Sequence, residues 1–203
     1  MKVLELFAGT GSVGKVFKEQ GHEVVSLDIS DQFHKPDIQI DILEWDYRQD
    51  ENIYDFIWAS PPCNSFSTMA YSVVKSRDYY TLQPLKPIAV LGDQLLNKTI
   101  EVIEYFKERN PHLKYIIENP RGMMRKMPIL GNLYRSTTYY CMYGHLQQKP
   151  TDFFSNFPLK LLETQHHKLH CGQKKHKLII STNLRDRYQI PEKLIEAIVS
   201  QLS

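Results

Sequence analysis

Apolar residues in the first 120 positions gather into short unbroken runs, and between them apolar positions recur at helical spacing. "KVLELF" (2–7), "HEVVSLD" (22–28), "DIQID" (37–41), "YDFIWAS" (54–60) and "LKYIIE" (113–118) read as strands, most of them too uniformly apolar to have a solvent face. After the first run, the turn "AGTGS" leads into "SVGKVFKEQ", where Val13, Val16 and Phe17 share a helical face. Leu91, Leu95, Leu96, Val102, Ile103 and Phe106 mark a second, longer helix. Residues 64–90 have no clear period and are rich in Ser and Tyr, which suits a functional lid better than a core element. Strands alternating with helices predict right-handed crossovers and an α/β fold with a mostly parallel sheet flanked by helices.

Length and composition narrow this picture. A chain of 203 residues with 42% hydrophobic and 24% charged residues has room for one such domain, expected over residues 1–203. No apolar run approaches a membrane span, and "MKVLELF" passes straight into the first strand, so neither membrane nor export segment is expected. Three cysteines, Cys63, Cys141 and Cys171, fit a reducing, cytoplasmic compartment and predict free thiols. The net charge of +2 is uninformative, but its distribution is not. Residues 28–55 hold nine acids against two bases, and residues 160–187 hold seven bases against two acids, with four histidines interleaved. One end of the chain could face a cationic ligand and the other a polyanion, although solvated loops of either sign would look the same.

Chemistry concentrates at strand ends. In an open parallel sheet ligands bind outside the carboxyl ends of the strands. Gly9, Asp28, Asp41, Cys63 and Glu118 each stand at or just past such an end and should converge on one rim. Gly9 and Gly11 in "FAGTG" allow a ligand to approach the backbone and the helix that follows. An acid roughly 20 residues further on is the geometry that holds ribose hydroxyls, and Asp28 occupies that place. A turn needed only for tight strand-to-helix packing is the plainer, less favoured reading of the glycines.

"LELFAGTGSVGKVF", "ASPPCNSFS" and "IIENP" together resemble, in order and approximate spacing, the signature motifs of the cytosine-5 DNA methyltransferases, over roughly residues 1–157. "RYQIPEKLIEAIVSQL" at 187–202 is similar to that family's final helix, which packs beside the cofactor. The resemblance implies a Rossmann-like fold that binds S-adenosyl-L-methionine through Phe7, Ala8, Gly9, Gly11, Asp28, Ile29, Asp41, Ile42 and Pro61. It implies Cys63 as a nucleophile adding to carbon 6 of cytosine, so that carbon 5 can take a methyl group, and Glu118 as the acid that holds the base. Both residues also have plainer readings, a small buried hydrophobe for Cys63 and an ion-pair partner for Glu118.

Departures from the family pattern are informative. The family's Gln-x-Arg-x-Arg segment corresponds here to "YGHLQQKPTDFFSN", with Gln147, Lys149 and Thr151 and no arginine, so Lys149 is the third catalytic candidate. Where the family has valine after Glu-Asn, this chain reads "ENPRGMMRKM". Arg121, Arg125 and Lys126 could grip phosphate there, with Ser67 in the Cys63 loop beside them. In place of a substantial target-recognition domain stands a reduced basic insert over 158–186, from which Lys174, Lys175 and Lys177 would contact DNA. A homodimer or a recognition partner would be the other source of target choice. In "HHKLHCGQKKH", His167, His170, Cys171 and His176 match no standard zinc spacing, so no metal is expected. An amino-methyltransferase would place an aromatic residue after "SPP", where this chain has Cys63. A retired fold that only binds DNA or a partner would have no use for Cys63 together with Glu118. The reading carried forward is therefore a small, phage-like cytosine-5 DNA methyltransferase, of the kind found in restriction-modification systems and phage-infected bacteria.

Overall fold

The apolar runs become five parallel strands, β1 (Lys2–Leu6), β2 (Glu23–Asp28), β3 (Ile38–Gln39), β4 (Phe56–Ala59) and β5 (Lys114–Pro120), in a computed structural model that describes residues 1–162, 171, 176 and 183–202. Two strands that the hydrophobic pattern does not announce, β6 (Tyr134–Tyr139) and β7 (Pro150–Ser155), complete a seven-stranded sheet of order β3-β2-β1-β4-β5-β7-β6. β7 runs antiparallel to both β5 and β6. The chain winds outward from β1 to β3 and then returns to β4 on the other side of β1, so the strand order reverses between β1 and β4. A crevice opens at such a switch point beyond the carboxyl ends of the two strands. The segments leaving those ends are the glycine turn and the Pro-Pro-Cys turn.

Both faces of the sheet are covered, which explains the unbroken apolar runs. Leu4, Leu6, Ile57, Ala59, Tyr115 and Ile117 face one way, onto Leu96, Val102, Ile103 and Phe106 of α3 (Pro87–Arg109). Their alternates Val3, Phe56, Trp58 and Ile116 face the other way, with Val13, Val16 and Phe17 of α1 (Ser12–Glu19) and Leu194, Ile195 and Ile198 of α5 (Glu192–Val199). Each fully buried side chain of this size contributes about 1.5–3 kcal/mol. Together they fix the strand ends on which the site depends.

Three expectations need correction. Leu91 is exposed, because the buried face of α3 passes through Ala89 and Gly92 instead. A Cβ at Gly92 would collide with Ser65, so glycine is what lets the helix lie against the turn that carries Cys63. The final helix is two pieces, α4 (Leu184–Tyr188) and α5, since Pro191 keeps Ile190 out of helical geometry. Ile190 N–H instead donates to Ser12 Oγ at 3.2 Å, and Lys15 pairs with Glu192, which docks α5 on α1. Residues 64–90 contain α2 (Thr68–Ser72) and are stapled down by the buried Arg77. Its guanidinium donates to Leu82 O, to Ala89 O and twice to Asp93 of α3.

The basic insert falls largely outside the described residues, but its start is tied to the β6 hairpin. Ser136 Oγ donates to Leu159 O, Thr138 Oγ1 donates to Leu162 O, and Leu162 N–H donates to Tyr143 Oη, at 2.6–2.9 Å. Among the described residues, no helix is long and apolar enough to cross a membrane.

Candidate active site

The glycine turn is built by backbone that few side chains tolerate. Phe7, Gly9 and Gly11 have φ of 60°, 52° and 69°. A Cβ on Gly9 would make only ordinary contact with Phe7 O at 3.8 Å, whereas one on Gly11 would strike the His34 ring. Asp28, at the end of β2, reaches across to the turn. Its Oδ2 accepts from Gly9 N–H and its Oδ1 from Ser30 N–H, both at 2.8 Å. Each oxygen keeps a lone pair for a further donor such as a ribose hydroxyl. Beside it, Ile29 is 64% exposed, a bare apolar side chain suited to cover a purine ring. Asp41 is oriented by Leu43 N–H at 2.9 Å. Ile42 packs into the core, so only its backbone could meet a ligand, while Ala8 is buried at the turn. A left-handed glycine turn, an acid with acceptor capacity to spare and an exposed apolar side chain are groups that fit an adenosyl moiety.

Beyond β4, two prolines and a short 3-10 turn, Cys63–Ser65, set the direction of the thiol. Phe66 and Ser67 N–H both donate to Cys63 O, and Asn119 Nδ2 of β5 donates to Pro61 O at 2.8 Å, locking this turn to the neighbouring strand. Glu118 is buried on β5, opposite Phe153 of β7. Tyr140, just after β6, donates its hydroxyl to Glu118 Oε1 at 3.1 Å, and Ser60 gives it a second bond after itself accepting from Trp58 Nε1 at 3.0 Å. Lys149 immediately precedes β7, with φ of 29°, an uncommon conformation for a side-chain-bearing residue. Its Nζ donates to Arg187 O at 2.7 Å and lies 4.7 Å from the centre of the Tyr140 ring.

Electrostatics joins these groups into one cluster. Burial pushes the Cys63 thiol up, Lys149 pulls it down, and Glu118 pushes it up again. Burial likewise lifts Glu118 above the usual carboxylate range, opposed by Lys149 and by the Tyr140 and Ser60 hydroxyls. Desolvation lowers Lys149, while Glu118 and Cys63 hold its proton on. A thiol, a buried carboxyl whose proton affinity is raised and a buried amine thus lie together beside the ends of β4 and β5 and the start of β7. Of these, sequence reading missed Tyr140, whose role depends on the unannounced β6 hairpin.

The expected phosphate contacts are dispersed. Arg121 is exposed beside the Cys63 loop, where Ser67 caps α2 through Ala70 N–H and bridges to Gly122. Arg125 differs from expectation, because its guanidinium makes a bidentate pair with the buried Asp152 at 2.9 and 2.6 Å. Lys126 lies over the Tyr79 ring at 3.3 Å. Lys174, Lys175, Lys177, His167 and His170 are outside the described residues, whereas Cys171 and His176 are described and approach Cys141.

A sheet reversing at β1 and β4, with a glycine turn and a cysteine turn at its switch point, defines a Rossmann-like methyltransferase fold, and comparison with solved structures bears this out. The chain superposes with a TM-score of 0.52 on a prophage-encoded E. coli protein described as a DNA modification methyltransferase, at 15% identity over 76% of this chain and 46% of that one. It superposes with a TM-score of 0.50 on the S. pombe Dnmt2 methyltransferase, at 17% identity over 79% of this chain and 53% of that one. Among curated proteins the chain is 36% identical over 131 residues to a probable DNA (cytosine-5)-methyltransferase of Frog virus 3 (isolate Goorha). The match covers 62% of this chain and 57% of the relative, so the chain spans little more than half of that protein. No family model matches.

Proposed function

We propose that the chain transfers a methyl group from S-adenosyl-L-methionine to carbon 5 of cytosine in DNA. The observation that carries this reading is the joining of Cys63, from the turn after β4, and Glu118, from β5, into one cluster with Lys149 and Tyr140. The viral relative's name supports the same chemistry. Cys63, as thiolate, adds to carbon 6 of the base, and Lys149 favours that thiolate against the burial that opposes it. Glu118, whose hold on a proton is strengthened by burial and which Tyr140 orients, donates to ring nitrogen 3 as charge builds there. Carbon 5 becomes an enamine carbon and takes the methyl group that the bound sulfonium supplies. Water takes the carbon-5 proton, the carbon-6–sulfur bond breaks to release the Cys63 thiolate, and nitrogen 3 returns its proton to Glu118, which restores the ring.

Asp28, Ile29 and the Gly9 turn hold the cofactor, and Asp41 orients it from the next strand end. A base inside a duplex must leave the stack to reach Cys63, at a cost of a few kcal/mol, which phosphate contacts from Arg121 and the basic insert offset. Arg125 instead ties the segment after β5 to Asp152 of β7, the strand that Lys149 precedes.

The test is a duplex carrying 5-fluorocytosine, from which the final proton loss cannot occur. In the presence of S-adenosyl-L-methionine a covalent complex should accumulate, with the modified peptide containing Cys63. No adduct on a duplex that the protein binds would reject the reading.

A further inference from the structure

Cys141, Cys171 and His176 offer two thiols and an imidazole whose ligand atoms all lie within 4.8 Å of one another. Cys141 is buried in the 3-10 turn Tyr140–Tyr143, whereas Cys171 and His176 are half-buried and belong to the basic insert. Cys171 Sγ already sits 3.1 Å from His176 Nε2. Zinc binds thiolate at about 2.3 Å and imidazole at about 2.0–2.1 Å, which places two sulfurs on one tetrahedral ion about 3.8 Å apart. The three donors are therefore within a small side-chain adjustment of a shared ion. Two sulfurs and one nitrogen, with no carboxylate among them, select zinc over magnesium or calcium.

We propose that these three residues form a zinc site that pins the basic insert to the turn beside the active site, with water or a further donor in the fourth position. Sequence spacing concealed it because one ligand comes from a distant element, so that 166–176 by itself shows no zinc pattern. Binding deprotonates both thiols and releases their protons to solvent, with no change in oxidation state. The position gives the site a purpose. Cys141 follows Tyr140, the donor to Glu118, and the start of the insert is already hydrogen-bonded to β6 and Tyr143. An ion here would tie Cys171 and His176 of the insert to the turn that begins with Tyr140.

The full chain, purified without a histidine tag under reducing conditions, should contain about one zinc per chain by elemental mass spectrometry. Cobalt substitution should give thiolate charge-transfer and tetrahedral ligand-field bands. Cys171→Ser and His176→Ala, both at half-exposed positions, should retain native circular dichroism and lose zinc at least tenfold. Chelation of the wild type should speed tryptic cleavage within the insert. Equal zinc in wild type and both variants, absence of the cobalt bands, or a Cys141–Cys171 disulfide that persists in protein isolated under reducing conditions would each overturn the proposal.

Discussion

Replacing Lys149 by Met removes a buried cation, keeps the length of the side chain over the Tyr140 ring, and should make Cys63 a poorer nucleophile at neutral pH. The sign follows from the forces on the thiol. Burial raises it and Lys149 lowers it, so without Lys149 it must rise further. One unit is about 1.4 kcal/mol, or about tenfold less thiolate below the midpoint. A more basic thiolate is also more reactive, with a Brønsted slope of about 0.4–0.5, which returns about threefold. The expected net effect is about threefold slower alkylation per unit, with the midpoint of the pH–rate curve moved upward. Iodoacetamide rates between about pH 6 and 10, resolved by peptide mapping from Cys141 and Cys171, read both quantities. Methyl transfer should fall as well, because the adduct forms through the Cys63 thiolate. A midpoint that stays fixed or moves down would show that Lys149 does not act on Cys63.

Arg125→Ala strands the buried Asp152 carboxylate and should cost about 3–5 kcal/mol in urea unfolding, with much of the loss recovered in Arg125→Ala/Asp152→Asn. Glu5, buried on β1 and bonded to Gly14 N–H, is raised by desolvation from an ordinary value of 4.5 to about 8. A carboxyl raised on folding contributes fully below about pH 4.5 and loses that contribution as pH climbs through about 8, so Glu5→Gln should flatten the fall in melting temperature across this window. Replacing Lys174, Lys175 and Lys177 together by Ala should weaken DNA binding and flatten its salt dependence by up to about 0.9 for each phosphate that these lysines neutralise, leaving cofactor affinity unchanged in calorimetry.

The strands that position the site were legible because they are buried on both faces. Val3 and Leu4, or Ile57 and Trp58, are all apolar since helices cover both sides, and such runs stand out from any loop. Their ends then located Gly9, Asp28, Cys63 and Glu118 without further information. β6 and β7 were not legible for the opposite reason. β7 begins with Pro150 and buries Thr151, Asp152 and Ser155, while β6 is largely polar, so neither has the composition of a core strand. What depends on that hairpin was hidden with it, namely the Tyr140 bond to Glu118, the Asp152 pair that occupies Arg125, and the approach of Cys141 to Cys171 and His176. Each joins residues far apart in the chain, and no local spacing encodes it.

Nucleoside analysis of DNA methylated in vitro bears most directly on the central claim. Purified protein, S-adenosyl-L-methionine carrying a labelled methyl group and unmethylated DNA should yield labelled 5-methylcytosine on digestion and mass spectrometry. Cys63→Ser should yield none while still binding the cofactor. Label on an exocyclic nitrogen of cytosine or adenine, or undiminished 5-methylcytosine from Cys63→Ser, would contradict a ring-carbon transfer through Cys63.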